Sequence, residues 1–307
     1  MQSDAASTAR VQARTRPLDG SIVGGKTGLL SMPTPLHASA PRATCSPMKA
    51  VILCGGFGTR IRDVAEDVPK PMIQIGGLPI LWHIMKYYAT FGHEKFVLCL
   101  GYKSSVIKQF FLNYEAYKSD VTLRLGASSS PVIHDEHPES GWEITLAETG
   151  AEAMTGARVA KIKRYVADDE HFLLTYGDGV GNVDLEALVA FHRSHGRVLT
   201  VTGVHPPGRF GEISCEADGT VTGFNEKPQI STGRISAGFF VCRRDIFDYL
   251  PAGDGLVFEK GPMNALVSAR QLMVFEHNGF WHPMDTYRDY VYLNDVYGKG
   301  EAPWVRW

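Results

Sequence analysis

The sequence predicts an α/β protein whose mixed, mostly parallel sheet carries helices on both faces. From residue 50 to residue 125, short apolar runs of strand length alternate with segments whose apolar residues recur at helical spacing. Such alternation is typical of parallel strands, because each connection between them returns through a helix. A later apolar run, 171–176, ends in Gly177-Asp178-Gly179, which places an acid where ligands of doubly wound sheets bind. We therefore expect a Rossmann-like fold.

The first half of the chain supplies its elements in a regular order. Pro79 suits the first position of a helix, and Gly92 stops that helix. A second helix is indicated by apolar residues that recur between Val106 and Tyr114. The expected strands of this half lie at 50–53, 95–100, 121–125 and 142–146.

The second half is marked by capping and turn residues. Thr155 and Asp184 are candidate N-caps of two helices, and Asp218-Gly219 is a hairpin signal between strands at 210–215 and 221–224. The aromatic tail, 287–307, is expected to pack on the core or on a neighbouring subunit. The remaining expected elements are strands at 171–176, 198–204 and 272–275 and a helix within 258–271.

Composition excludes several classes of function. The chain has 307 residues and a formal net charge of −2, so its length suits one large domain or two small ones. A near-neutral charge gives no argument for nucleic acid or a membrane as a partner, and no apolar run reaches transmembrane length. The five cysteines are widely spaced and form no C-x-x-C pair, which favours a reduced, cytoplasmic protein.

Residues 1–47 differ from the rest of the chain. They are rich in Ala, Ser, Thr, Arg and Pro and have no periodic apolar face, so we expect a disordered leader. Their arginines and scarcity of acids also resemble a transit peptide, and a third alternative is that translation starts at Met48. We expect residues 48–307 to form a single domain.

A glycine-rich turn at 55–60 follows the first strand and is the centre of the functional prediction. Its glycines allow backbone N–H groups to approach an anion, and Arg60 adds a guanidinium suited to phosphate oxygens. Lys70 lies between Pro69 and Pro71, which stiffen the chain and hold the ammonium group in place. The stretch fits neither the dinucleotide fingerprint nor the Walker A loop. A glycine turn that merely joins strand to helix is the alternative.

These residues resemble the signature of the sugar-1-phosphate nucleotidyltransferases. The resemblance rests on Leu53-x-Gly55-Gly56-x-Gly58-Thr59-Arg60 followed by Pro69-Lys70-Pro71-Met72, and it extends from Met48 to the C-terminus. Within the family the chain is most similar to the branch that uses CTP and glucose 1-phosphate. Cys54 departs from the alanine usual at its position but is also small. The closer similarity is carried by residues 77–86, Thr175–Gly179, Pro206–Gly211 and Pro283–Thr286.

The resemblance implies a set of site residues. For catalysis it implies Arg60, Lys70 and Asp178. For the nucleotide it implies Leu53, Gly55, Gly56, Gly58, Thr59, Thr149, Thr155, Arg158, Tyr176 and Gly177. For the sugar phosphate, bound partly by the small β-hairpin region, it implies Gly211, Glu226, Lys227 and Gly238. For the metal it implies Mg²⁺ held by Asp178 and Asp285.

Several of these residues also have ordinary structural interpretations. Asp178 suits a turn, and Asp285 and Thr155 suit helix N-caps. Glu226-Lys227 beside a proline is typical of an ordinary surface. His282 is at least as well explained by packing as by donation to a phosphate.

The reaction that the resemblance implies is cytidylyl transfer from CTP to glucose 1-phosphate. A phosphate monoester is largely ionised near neutral pH, so we expect no catalytic His or Ser as general base. Uridylyl or thymidylyl transfer remains open, because base choice depends on a few hydrogen bonds. A non-catalytic relative that binds sugar nucleotides is a further alternative. The resemblance also implies a homo-oligomer.

Overall fold

The structure is a computed structural model, and it describes residues 46–56, 61, 68–126, 130–134, 136–205, 212–216, 220–225 and 233–307. The disordered leader expected at 1–47 therefore lies almost wholly outside the described residues. Within the described ranges, no helix combines the length and the apolar character needed to cross a bilayer.

Strands and helices alternate along most of the described chain, as the sequence predicted. The strands are β1 (Lys49–Leu53), β2 (Gln74–Ile75), β3 (Leu78–Pro79), β4 (Lys95–Leu100), β5 (Val121–Thr122), β6 (Val132–Ile133), β7 (Glu143–Glu148), β8 (His171–Tyr176), β9 (Gly179–Gly181), β10 (Leu199–Val204), β11 (Glu212–Cys215), β12 (Val221–Asn225), β13 (Ile235–Arg243), β14 (Leu272–His277) and β15 (Trp281–Pro283). The helices are α1 (Ile80–Ala89), α2 (Ser104–Leu112), α3 (Tyr114–Lys118), α4 (Thr155–Lys161), α5 (Lys163–Val166), α6 (Leu185–His195), α7 (Gly261–Ser268) and α8 (Tyr287–Gly298). Short 3₁₀ turns occupy Lys70–Met72 and Arg244–Tyr249.

Seven strands form the central sheet in the order β14-β10-β13-β8-β1-β4-β7. β1 is parallel to β4 and β8, and β4 and β10 are parallel to β7 and β14. β13 is antiparallel to both of its neighbours, β8 and β10. The prediction of a mixed, mostly parallel sheet is therefore confirmed.

Both faces of the sheet are covered, because alternate residues of β1 enter different hydrophobic cores. Ala50 and Ile52 belong to the core that α1 and α6 cover, whereas Val51 and Leu53 belong to the core that α4 and α7 cover. Burial of each large aliphatic side chain is worth about 1.5–3 kcal/mol. The continuous apolar run of β1 is thus the sequence signature of a strand buried on both faces.

The expected third strand at 121–125 is wrong as a member of the central sheet. Only Val121–Thr122 are paired, and they form a two-residue ladder with Val132–Ile133. The side chains of Leu123 and Leu125 are exposed, so neither residue joins a hydrophobic core. The sheet position next to β4 is taken instead by β7.

The single helix expected between Val106 and Tyr114 is divided into α2 and α3. Two helix starts also differ from the expectations. Pro79 directly precedes α1 instead of occupying its first turn. Met154, not Thr155, precedes α4, and the Thr155 hydroxyl makes tertiary hydrogen bonds instead of a cap. The Asp184 cap is confirmed, because its side chain accepts the Ala187 N–H at 3.0 Å.

The aromatic tail packs on the core of its own chain. Trp304 is fully buried, stacks on Phe280 and donates its indole N–H to His83 Nδ1 at 3.5 Å. His83 donates from Nε2 to the Ile75 carbonyl, which leaves Nδ1 as the acceptor. One of the two packing alternatives for the tail is therefore confirmed.

We expect acid to destabilise this fold through a buried histidine. His192 lies against His171 and His195 and is hydrogen-bonded to Thr200. Burial, with the two neighbouring histidines and nearby arginines, lowers the pKa of His192 to about 3. The unfolded chain binds this proton near pH 6.5, so the contribution of His192 is complete above that pH and is lost as pH falls towards about 3. The free energy of unfolding, measured with urea, should fall between pH 7.5 and pH 5.0. The fall should be about 1–2 kcal/mol smaller in His192→Gln than in the wild type.

The matched control for that measurement is His134→Gln, since His134 is an exposed histidine on the hairpin after α3. Its loss between the two pH values should equal that of the wild type. Equal losses in His192→Gln and the wild type would contradict the assignment.

Candidate active site

A cleft of about 320 Å³ opens at the carboxyl ends of β1 and β8. This is the edge of the sheet where parallel α/β proteins bind ligands, because loops diverge there. The volume suits a small ligand. Its lining residues are Leu53, Gly55, Gly56, Lys70, Pro71, Glu152, Ala153, Met154, Thr155, Arg158, Tyr176, Gly177 and Asp178.

The described start of the glycine-rich turn is fixed by a buried arginine. Arg158 donates from Nη2 to the Gly55 carbonyl at 2.9 Å and from Nη1 to the Leu100 carbonyl and the Thr149 hydroxyl. A Cβ at residue 55 would lie 2.1 Å from the guanidinium carbon, so any larger residue would displace the guanidinium from these hydrogen bonds. Further contacts reach the carbonyls of Gly150 and Ala151. The guanidinium therefore holds the backbone around the turn.

Lys70 and two aspartates meet at the mouth of the cleft. Lys70 Nζ donates to Asp178 Oδ2 at 2.6 Å and to Asp285 Oδ1 at 2.5 Å. The lysine begins a 3₁₀ turn after an extended Pro69, and the following Pro71 is buried, so the backbone here is stiff. Burial alone would lower the pKa of Lys70, but the two carboxylates outweigh it and raise the pKa. The ammonium group is thus charged at neutral pH.

The loops that carry the two aspartates are joined through the backbone. β9, which begins directly after Asp178, pairs with β15, and the Met284 N–H donates to the Asp178 carbonyl at 2.7 Å. Since Met284 directly precedes Asp285, this bond keeps the two acids near each other. The turn at Asp178 and the turn at Asp285 are consequently linked through the backbone.

Asp289 holds the Asp285 turn from the helix side. Its Oδ2 accepts the N–H groups of Asp285 and Thr286, and Thr286 in return caps α8. Burial opposes ionisation of Asp289, but bonds from His282 and Thr286 outweigh it and lower its pKa to about 2. Thr286 is therefore the N-cap, and the N-cap interpretation of Asp285 is wrong. The bond from His282 joins its Nε2 to Asp289 Oδ1 at 3.0 Å.

The two aspartates fit a divalent cation. Their carboxylates already converge on one positive charge and remain about 30% exposed, and carboxylate oxygens are the ligands that hard cations prefer. Among the described residues, no third His, Cys, Asp or Glu joins them in a metal-binding group. Such sites are commonly completed by water and substrate phosphates.

Tyr176 also lines the cleft, and its ring packs against Gly238. Gly238 has a φ of +76° in a bulged part of β13, and a Cβ there would lie 2.1 Å from the Tyr176 ring. Gly238 therefore contacts the cleft residue Tyr176 from behind. Burial, with Glu259 and Asp178, raises the pKa of Tyr176 above its ordinary value, so the hydroxyl stays protonated.

The segment before α7 builds the wall around Thr155. The Asp254 and Leu256 carbonyls accept the N–H groups of Met154 and Ala157 at 2.8 and 3.1 Å. The Glu259 carboxylate then accepts the hydroxyl of Thr155 at 2.7 Å and also that of Tyr176. Sequence reasoning missed Glu259, because nothing in its local sequence indicates a partner 83 residues away.

Comparison with known proteins decides the family. Residues 49–297 match the Nucleotidyl transferase family. The chain belongs to this family. Glucose-1-phosphate cytidylyltransferase of Salmonella typhi is 47% identical over 260 residues, which cover 85% of this chain and all of that protein. The resemblance predicted from the signature motifs is therefore confirmed.

Solved structures support the fold alone. HddC from Yersinia pseudotuberculosis superposes with a TM-score of 0.58 at 21% identity and covers 81% of this chain and 99% of its own. UDP-glucose pyrophosphorylase complexed with UDP-glucose gives a TM-score of 0.59 at 13% identity, covering 83% and 99%.

The structure gathers most of the residues that the family signature implied. The cleft brings together Leu53, Gly55, Gly56, Lys70, Thr155, Arg158, Tyr176, Gly177 and Asp178. Asp285 joins them through Lys70, whereas Thr149 is buried behind the wall beside Arg158. Outside the described residues lie Gly58, Thr59, Arg60, Gly211, Glu226 and Lys227. Their roles stay predictions.

Proposed function

We propose that the chain transfers the cytidylyl group of CTP to α-D-glucose 1-phosphate, giving CDP-glucose and pyrophosphate. The observation that carries this proposal is the Lys70 ammonium held between Asp178 and Asp285 at the mouth of the cleft. The 47% identity to a glucose-1-phosphate cytidylyltransferase supports the choice of CTP and glucose 1-phosphate.

The chemistry is an in-line displacement at the α-phosphorus of CTP. A phosphate oxygen of the sugar phosphate forms the new P–O bond, and the bond between the α-phosphorus and the bridging oxygen breaks, with its electron pair leaving on pyrophosphate. The attacking monoester is largely ionised at neutral pH, so no protein base is required. The chain supplies positioning and charge.

We propose distinct roles for the residues at the cleft mouth. Lys70 balances charge as the two anions approach, and Arg60 contacts the leaving pyrophosphate. Asp178 and Asp285 hold Mg²⁺, which supplies charge neutralisation for phosphate oxygens when bound. Arg158 keeps the Gly55 carbonyl in place and so positions the backbone at Gly55 and Gly56 beside the triphosphate.

The nucleotide requirement tests this function. The purified chain is incubated with glucose 1-phosphate, Mg²⁺ and each of CTP, UTP, dTTP, ATP and GTP, and pyrophosphate release is measured. Release with CTP at least tenfold above the others is expected. Faster release with UTP or dTTP would favour uridylyl or thymidylyl transfer, and none with any nucleotide would favour a non-catalytic relative.

We also propose that the protein is a cytoplasmic homo-oligomer. The thiols of Cys54, Cys99 and Cys242 are free and buried, as suits a reducing compartment. Exposed apolar side chains on α2, α3 and the following strand region support a contact between copies; they are Leu112, Tyr117, Leu123 and Leu125. Light scattering of the protein as it elutes from a size-exclusion column measures its mass, which gives the number of copies in the assembly.

We expect the leader to be dispensable for turnover. The first strand begins at Lys49, and the cleft residues lie beyond it. A chain that begins at Met48 should show kcat/KM within about twofold of the full chain, because no described site residue is removed. Loss of soluble protein or of activity would contradict this expectation.

A further inference from the structure

Glu259 lies beside the cleft and joins Tyr176 to Thr155, which together form the Tyr176–Thr155 wall. One carboxylate oxygen accepts the hydroxyl of Tyr176, and the other accepts the hydroxyl of Thr155 at 2.7 Å. Both hydroxyl-bearing residues line the cleft. Neither the family signature nor the sequence motifs drew attention to Glu259.

The hydrogen bonds fix the polarity of this wall. A hydroxyl has one proton to donate, and an ionised carboxylate accepts only. The protons of Tyr176 and Thr155 are both committed to Glu259, and the Thr155 oxygen also accepts the Phe258 N–H at 2.9 Å. The two hydroxyl oxygens and the carboxylate can therefore only accept hydrogen bonds from a ligand.

The Tyr176–Thr155 wall lies in the same cleft as the proposed phosphate site. Asp178, at the proposed phosphate end, follows Tyr176 by two residues through a turn, and both residues line the cleft. The Tyr176 hydroxyl reaches Glu259, which also holds Thr155. Because Lys70 lines this cleft too, a nucleotide whose phosphates lie at Lys70 has the Tyr176–Thr155 wall available to its ribose and base.

We propose that Glu259 is a specificity-determining residue, because it makes the Tyr176–Thr155 wall a surface of acceptors for a hydrogen-bond donor of the nucleoside. This inference rests on the proposed function. Cytosine carries an amino donor at the ring position where uracil and thymine carry a carbonyl acceptor. Ribose hydroxyls are donors of the same chemistry. Glu259 is exposed to water in the free protein. A bound nucleotide without the donor covers these acceptors without pairing them, which costs about tenfold in affinity.

Equilibrium binding separates the two donors. Affinities for CTP, UTP and dCTP are measured by calorimetry without sugar phosphate, so the result does not depend on turnover and is distinguishable from failure of the transferase reaction. Glu259→Ala frees both hydroxyl protons and should reduce the preference for the donor-bearing nucleotide by tenfold or more. A fall in the CTP-to-UTP ratio identifies the amino group, and a fall in the CTP-to-dCTP ratio identifies the ribose 2′-hydroxyl.

A double-mutant cycle tests whether Glu259 acts through Tyr176. In a Tyr176→Phe background, Glu259→Ala still frees the Thr155 hydroxyl, so it should change the affected ratio by a smaller factor than in the wild type. Glu259→Gln keeps the shape of the side chain, can accept from only one hydroxyl, and guards against a folding defect. Glu143→Ala, which removes an exposed carboxylate paired with Lys95 at the opposite end of β7, should leave all affinities unchanged.

A purely structural role gives a different pattern. Affinities for the three nucleotides would then fall by the same factor, or none would change. Either result, with both ratios within threefold of the wild type in Glu259→Ala and Glu259→Gln, overturns the proposal.

Discussion

Lys70→Ala is expected to lower kcat/KM by roughly thirty- to thousandfold, which corresponds to about 2–4 kcal/mol of transition-state stabilisation. The Lys70 ammonium is the cation at the point where Asp178 and Asp285 converge, and its side chain is only 15% exposed. Removing it leaves the charge of the two approaching phosphates unbalanced in a partly desolvated site. Steady-state kinetics against CTP and glucose 1-phosphate measure the loss.

Two further variants separate charge from geometry at this position. Lys70→Arg should rescue poorly, because a planar guanidinium does not replace a point charge held between two prolines. Lys95→Ala removes an exposed lysine from the opposite end of the sheet and should behave as wild type. A fall of less than about threefold for Lys70→Ala would be too small for transition-state charge stabilisation.

Asp178→Asn is expected to lower kcat/KM by roughly a hundred- to thousandfold and to raise the Mg²⁺ concentration that gives half-maximal rate. The substitution keeps the shape of the side chain and removes one of the two charges that face a cation. Its pairing with Lys70 is partly exposed, so the melting temperature should change by less than about 4 °C. Rates titrated with Mg²⁺, together with thermal unfolding, measure both effects.

Asp285→Asn and the double variant are the matched comparison. If the two carboxylates hold one ion, each single variant should cost nearly as much as the double variant. An Asp178→Asn protein with the wild-type rate and Mg²⁺ dependence would remove Asp178 from the mechanism.

The sequence predicted the parts of the fold and site that depend on local pattern. The buried β1, the stiff Lys70 turn and the acid after β8 each have a signal within a few residues, and all three lie where they were expected. The strand expected at 121–125 failed because burial, which decides its place, depends on distant residues. Glu259 was missed for the same reason, since its two partners are far away in the chain.

Arg158 shows how structure refines a prediction from a motif. The resemblance implied that Arg158 binds the nucleotide, and its side chain does line the cleft. Its hydrogen bonds, however, go to carbonyls and to the Thr149 hydroxyl, so we infer that it positions the turn. Donor geometry of this kind depends on tertiary packing and has no counterpart in the spacing of residues.

The most direct test of the account follows the phosphorus atoms of CTP. The full chain is incubated with glucose 1-phosphate and Mg²⁺, using CTP labelled with ³²P at either the α- or the γ-position, and the products are separated by ion-exchange chromatography. We expect the α-label in a sugar nucleotide that co-elutes with CDP-glucose and the γ-label in pyrophosphate. Appearance of the γ-label in a sugar product, or release of the α-label as free CMP with no sugar nucleotide, would contradict attack of the sugar phosphate on the α-phosphorus.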